Sequence, residues 1–310
     1  MQLEQILISD FTTSSGKTYT IPITYQCFGP ALHAAPVILV LHALTGNSNV
    51  AGPDGWWHKL VAHGSAVDLD KYTVIAFNIP GNGYDGFFVE DYQDFNISDI
   101  AQLFILALRI LNVDHLWAII GGSLGGAIGW EILSQQPQYA SFFIPIATHF
   151  KTSDWLYTQC VVQEFLLESP EDGMYKARYH AMLCYRTPNS INQRFKNQIL
   201  ENGKRKSEDW LDYHGNALGL RFEKRSYQLM NHLLKSINVN KEKLLKIESN
   251  IHLIAVNTDL YFTSEEMKET LDLNFEKAKL HYHEIISEHG HDAFLIEYEQ
   301  LNNIISNILS

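Results

Sequence analysis

The chain has 310 residues, 46% of them hydrophobic and 19% charged, with a formal net charge of −12. That length allows one large domain or two small ones, with a core that needs no disulfide or metal staple, and the acidic balance argues against a general nucleic-acid binder. Cys27, Cys160 and Cys184 lie far apart, the start Met-Gln-Leu-Glu lacks a leader's basic and apolar regions, and the longest apolar run stops at His42, so the expectation is a soluble cytoplasmic protein without a membrane partner.

Segments 5–9 and 19–25 flank a Ser14-Ser15-Gly16 turn and read as a hairpin. Segments 37–41, 73–79, 116–120 and 142–147 are short apolar runs of the kind buried on both faces of a parallel sheet. Between the second and third, Ile97, Ile100, Leu103, Ala107, Leu108 and Leu111 form a helical stripe, with Ser98 and Asp99 supplying N-cap chemistry. From Lys151 to about Leu245 no strand-like run occurs. Segments 155–167, 172–185, 191–200 and 226–235 read as helices, punctuated by Ser169-Pro170, Thr187-Pro188 and Asn202-Gly203. Strands return at 251–256 and 280–286 around a helix at 264–279, and a last helix covers 293–309. The expected architecture is α/β, a mostly parallel central sheet flanked by helices. Its core comprises 1–150 and 246–310, and a helical insertion spans 151–245. The insertion holds 15 Lys+Arg against 11 Asp+Glu, net +4, which leaves −16 for the rest. A solvated helical surface explains such a bias; so does attraction of an anionic substrate.

The strongest motif is Gly121-Gly122-Ser123-Leu124-Gly125-Gly126, set between a strand and the helical segment 127–133. A tight strand–turn–helix of this kind exposes the serine oxygen beside a helix N-terminus, and marks Ser123 as the candidate nucleophile. A base and an orienting acid should come later in the chain, in the order Asp, His, after later strands. Asp259 comes after 251–256 and His291 after 280–286. His289 is the nearest rival base, with a solvated loop histidine as its expected role. Asp292 is a rival acid, but it adjoins His291 and should point away from that ring. The oxyanion hole should use the Leu124 N–H and one from His42-Ala43-Leu44-Thr45-Gly46, where Leu44 is chosen and Ala43 is the alternative. His281 with His283, and His289 with His291, are i, i+2 pairs that could share a strand face. No third ligand stands at a familiar spacing and HExxH is absent, so no metal site is expected.

With these residues in place, the chain resembles the homoserine O-acetyltransferases of the α/β-hydrolase fold, with a helical lid insertion. The resemblance runs through His42 to Gly46, Gly55-Trp56-Trp57, Ala66 to Tyr72, the Gly121 to Gly126 turn with Trp130-Glu131, and Leu183-Cys184-Tyr185-Arg186. It continues through Tyr213-His214-Gly215, Arg221-Phe222, Ser226-Tyr227 and Gly290 to Leu295. It implies a Ser123–His291–Asp259 triad that moves an acetyl group from acetyl-CoA to the hydroxyl of L-homoserine, in methionine biosynthesis, with no permanently bound cofactor. It also implies that Arg178 and Tyr185 hold the acceptor's carboxylate and Asp292 its ammonium. The family is commonly dimeric, which makes a homodimer an expectation. The stretch 79–88 departs from the family's Gly-Gly-Cys segment, and the chain is short for the family. Alternatives are a serine O-acyltransferase, a homoserine O-succinyltransferase, a carboxylesterase or thioesterase, and a binding module without catalysis.

Overall fold

The computed structural model describes residues 2–310. Eight strands form one sheet: β1 (Glu4–Thr12), β2 (Thr18–Phe28), β3 (Val37–Leu41), β6 (Thr73–Phe77), β7 (Leu116–Gly122), β8 (Ala140–Ile146), β9 (Asn250–Val256) and β10 (Lys279–Ile285). Two short strands, β4 (Val61–Ala62) and β5 (Val67–Asp68), pair separately. In the main sheet the order is β1-β2-β6-β3-β7-β8-β9-β10. The hairpin β1–β2 is antiparallel and joins β6 antiparallel, while every pairing from β6 to β10 is parallel. Every residue of β3 and of β6 is buried. Strands covered on both faces read as unbroken apolar runs, which is why these two were legible.

From β3 the chain passes to β6 on one side, then crosses to β7 on the other. The crevice between the C-terminal ends of β3 and β7 is therefore the switch point where sheets of this kind place their ligands. Helices α1 (Ile97–Ile110) and α2 (Leu124–Gln135) cover one face. The opposite face packs against Trp57, Leu60 and α10 (Tyr298–Leu309). Between β8 and β9 the chain forms six helices: α3 (Asp154–Leu167), α4 (Gly173–Tyr185), α5 (Pro188–Phe195), α6 (Lys206–Gly219), α7 (Lys224–Lys235) and α8 (Lys241–Leu244). No helix among the described residues is long and apolar enough to cross a membrane.

Several local expectations need correction. The cap of α1 is Asn96, whose side chain accepts the N–H groups of Ser98 and Asp99. Asp99 closes the capping box from inside the helix, and its carboxylate also takes the Ser14 N–H and hydroxyl, both at 2.8 Å. One side chain thus closes the N-terminus of the helix and pins the β1–β2 turn to it. The segment 264–279 is not one helix. Thr263 caps a short α9 (Ser264–Glu269), which tightens into a 3-10 turn, Thr270–Asp272. The last helix is also divided, into a 3-10 segment Gly290–Leu295 and α10. The segment 191–200 is displaced, because Thr187 and Pro188 start α5 earlier. Helix α6 is not evident in the sequence because little of it faces the core: only Gly215 and Leu218 are buried.

Candidate active site

The turn after β7 is built by what its glycines lack. A Cβ on Gly121 would lie 2.5 Å from the Gly125 carbonyl carbon, and one on Gly125 would lie 2.3 Å from the Leu41 carbonyl oxygen. Helix α2 can therefore begin directly against β3 and β7. Between these glycines Ser123 adopts φ 55° and ψ −125°, a strained conformation for a residue with a Cβ, costing about 1–3 kcal/mol. Its N–H donates to the Ile146 carbonyl at 2.9 Å, which fixes the turn to β8. The hydroxyl stands at the N-terminus of α2, where the helix dipole favours negative charge.

His291 is buried in the 3-10 segment after β10. Its Nε2 lies 2.9 Å from Ser123 Oγ, and its Nδ1 lies 2.7 Å from Asp259 Oδ2. The other oxygen of Asp259 accepts the N–H groups of Tyr261 and Phe262, at 2.7 and 3.1 Å. Thr258 sets the spacing of the two loops. Its hydroxyl donates to the Ser287 carbonyl at 2.7 Å and accepts the Gly290 N–H at 3.2 Å. Trp57 braces the same segment by donating its indole N–H to the Phe294 carbonyl at 3.1 Å. The rings of Tyr185, Tyr261, Phe262 and Phe294 surround the imidazole. The fold thus brings together Ser123, His291 and Asp259, which are far apart in sequence. A hydroxyl on an imidazole that is itself held by a carboxylate can be deprotonated as it attacks a carbonyl carbon.

Leu44 and Leu124 flank this line. Leu124 is the first residue of α2, so its N–H has no carbonyl one turn back in the helix. Leu44 lies in the loop after β3 and lines the cavity at Ser123. That loop is anchored twice. His42 Nε2 accepts the Ile79 N–H at 3.0 Å while its Nδ1 donates to the Ala43 carbonyl at 2.8 Å. Arg221 Nη1 donates to the Thr45 carbonyl at 2.8 Å. The atypical stretch 79–88 meets this loop at His42, whose Nε2 also lies 3.4 Å from the Asn82 side-chain nitrogen. The Asn82 amide reaches the Asn78 side-chain oxygen at 3.3 Å, Asp85 accepts the Thr24 hydroxyl at 2.6 Å, and Phe88 lies under the Arg225 guanidinium. In the sequence His42 stands only as part of a motif. A polar side chain directly after a fully apolar strand is the signal that could have singled it out.

A small cavity of about 70 Å³ opens beside Ser123, lined by Ala43, Leu44, Arg178, Tyr185, His291 and Asp292 among others. Arg178 lies on α4, half-buried, with its guanidinium 5.8 Å from the centre of the Tyr185 ring. Its Nε is buried with no hydrogen-bond partner among the described residues, so it is not a solvated surface charge. Burial pushes the Tyr185 phenol up to about 12 against the opposing pull of Arg178. Burial likewise lowers the His214 imidazole to about 4, helped by Arg178, Arg194 and Arg186. Arg178 is thus the basic side chain that lines this cavity.

Asp292 turns from the imidazole toward Arg186, whose Nη1 stands 3.6 Å from its Oδ2. His289 is not a solvated loop residue either. It is half-buried, with Nδ1 at 3.0 Å from both Arg186 Nη2 and Ser190 Oγ. His281 and His283 meet a third histidine across the sheet, His252 on β9. Their rings stack, however, and no group of three or more histidine, cysteine or acidic side chains among the described residues could hold a metal ion.

Known proteins share this fold. A family model described as the alpha/beta hydrolase fold matches residues 36–298. A homoserine O-acetyltransferase of Cyclobacterium marinum is 33% identical over 304 residues, covering 87% of this chain and 84% of that protein. Among solved structures, homoserine O-acetyltransferase from Bacillus anthracis superimposes with a TM-score of 0.87 at 18% identity, over 100% of this chain and 97% of that one. Esterase E22 superimposes with a TM-score of 0.86 at 17% identity, over the full length of both chains.

Proposed function

The chain belongs to the homoserine O-acetyltransferase family of the α/β hydrolase fold, and on that premise we propose that it transfers an acetyl group from acetyl-CoA to the hydroxyl of L-homoserine. One observation carries the reading: the hydrogen-bonded line Asp259–His291–Ser123 opens into a cavity that also holds the cation Arg178 and the anion Asp292. A hydrolase of simple esters has no use for that pair. A zwitterionic acceptor does, since guanidinium pairs with its carboxylate and carboxylate with its ammonium.

In the first half-reaction Ser123 Oγ attacks the thioester carbonyl carbon and His291 Nε2 takes its proton. The oxyanion develops against the Leu124 and Leu44 N–H groups, each worth about 3–4 kcal/mol in comparable sites. Collapse expels the thiolate of CoA, which receives the proton from His291. In the second half-reaction Arg178 and Tyr185 hold the acceptor carboxylate and Asp292 its ammonium. His291 takes the hydroxyl proton as that oxygen attacks the acyl-enzyme, then returns the proton to Ser123. No bound cofactor is required. The aromatic rings around His291 and the helices between β8 and β9 act as the lid that keeps water from the acyl-enzyme.

The reading carries a methionine-pathway role and a cytoplasmic setting, which the three unpaired cysteines suit. It also includes a homodimer. Trp155, Val162 and Phe165 lie exposed along one side of α3, the last 77% exposed, and a second copy would cover them.

The test is to incubate the protein with acetyl-CoA or succinyl-CoA, with L-homoserine, L-serine or neither, and to monitor free CoA and products. CoA release that depends on homoserine, with O-acetylhomoserine formed, is the expected result. Release at the same rate without any amino acid would make the protein a thioesterase. A preference for serine or for succinyl-CoA would replace the acceptor or the donor.

A further inference from the structure

The acyl transfer proposed above leaves the acceptor's ammonium to Asp292, and the role of Arg186 inferred below rests on that reading. Asp292 is an awkward residue to keep charged. Its side chain is 19% exposed, and its carboxylate has only the Arg186 guanidinium, at 3.6 Å, as an ion-pair partner among the described residues. Burial therefore pushes its carboxyl above the usual range, and the largest influence in the other direction is Arg186, ahead of His291 and Arg178.

Arg186 is built into place. It is buried at the C-terminal end of α4, one residue beyond Tyr185. Its Nε and Nη2 both donate to Ser190 Oγ, at 3.2 and 2.7 Å, while Nη2 also reaches His289 Nδ1 at 3.0 Å. A guanidinium only donates, so His289 Nδ1 is an acceptor here, and the Ser190 hydroxyl has that same nitrogen to donate to at 3.0 Å. Ser190 is held in turn, since its N–H donates to Thr187 Oγ1 at 3.0 Å and the Thr187 hydroxyl donates to the Glu288 carbonyl at 2.5 Å. The outcome is a fixed fork with its remaining nitrogen, Nη1, aimed at Asp292. At 3.6 Å that contact acts through charge and leaves the carboxylate's lone pairs open to a ligand in the cavity.

We propose that Arg186 is a positioning residue that sets acceptor specificity: by holding Asp292 ionised and aimed into the cavity, it makes the site demand an acceptor with an α-ammonium group. Without Arg186, the buried carboxyl takes up a proton and an ammonium entering beside Arg178 finds no anion to meet it. Arg186 itself touches neither the reacting atoms nor the acceptor.

The experiment compares the wild type with Arg186→Met and Arg186→Lys in acyl transfer to L-homoserine and to 4-hydroxybutyrate, the same acceptor without its ammonium. Each rate is normalised to that variant's hydrolysis of p-nitrophenyl acetate, which needs no acceptor. Arg186→Met is expected to raise the KM for homoserine at least 10-fold, with a smaller change in kcat, and to collapse the preference for homoserine over 4-hydroxybutyrate. Its homoserine KM should fall again as pH rises and Asp292 ionises, a response that simple loss of packing does not give. Arg186→Lys should restore most of the preference. An unchanged preference in Arg186→Met, or a KM flat with pH, overturns the inference. Should Arg186→Met not fold, Ser190→Ala loosens the same fork and must weaken the preference in the same direction. A wild type that transfers nothing to homoserine refutes the functional reading instead, so the two failures are distinct.

Discussion

His42 and Ile79 are joined across two neighbouring parallel strands: the imidazole Nε2 after β3 accepts the N–H of the second residue beyond β6, at 3.0 Å. The other ring nitrogen donates to Ala43, so both are used in the neutral form. Protonation would turn an acceptor into a donor facing Ile79. Burial pushes the imidazole down to about 4. In the unfolded chain it would take a proton near 6.5, so the unfolded state binds more protons between those values. The stability contributed by His42 is therefore complete above about pH 6.5 and falls by about 3 kcal/mol as pH drops toward 4, levelling off below it. Urea midpoints from pH 7.5 to 4.5 check this. The wild type should lose stability more steeply than His42→Gln, whose amide can accept from Ile79 without titrating. Parallel curves would refute it.

The close approach at the serine turn leaves no room for a methyl group. Gly125→Ala would set a Cβ against the Leu41 carbonyl, part of a buried strand that cannot yield. Helix α2 must then shift and carry Ser123 away from His291. The expected cost is about 1–3 kcal/mol of stability, together with at least a 10-fold loss of kcat for p-nitrophenyl acetate hydrolysis. Thermal unfolding and steady-state kinetics read the two effects.

Asp259→Asn keeps the size of the side chain and its oxygen for the Tyr261 and Phe262 N–H groups. It offers His291 Nδ1 an amide in place of a carboxylate, which favours the wrong tautomer. The expected loss is about 10⁴-fold in kcat with the fold retained. A loss below 10-fold would remove Asp259 from the role proposed for it.

Arg178→Ala removes the cation whose Nε has no hydrogen-bond partner among the described residues. The variant should raise the KM for homoserine by about 100-fold, the order expected for a lost charge-assisted pair. It should also redirect the acyl-enzyme from homoserine to water. The ratio of O-acetylhomoserine to acetate checks this, and an unchanged ratio counts against the carboxylate contact.

Strands buried on both faces were the most legible elements. The run Val37–Leu41 is the same in sequence and structure, because no polar residue interrupts it. Helix α6 is not legible for the opposite reason: only Gly215 and Leu218 of its fourteen residues are buried, too few to mark a core-facing side. The break between the 3-10 segment at His291 and α10 was missed as well, since Phe294 and Leu301 both face the core and mimic one continuous stripe. Arg186 was visible only as a letter after Tyr185. Nothing local shows that its partners are Ser190 on the next helix and Asp292 beyond β10.

By itself the sequence determined the local chemistry. The apolar runs set the strands, the glycines made a turn that only small residues allow, and charge separated the insertion from the rest. Those properties depend on neighbours along the chain. The tertiary structure alone decided the meetings. It brought Ser123, Asp259 and His291 within hydrogen-bond reach and turned Asp292 toward Arg186. It also made His42 the brace of the loop that carries Leu44. Each of these is a distance between residues tens to more than a hundred positions apart, set by sheet order and by which loops share the end of β3 and β7. No pattern of adjacent residues encodes such a distance.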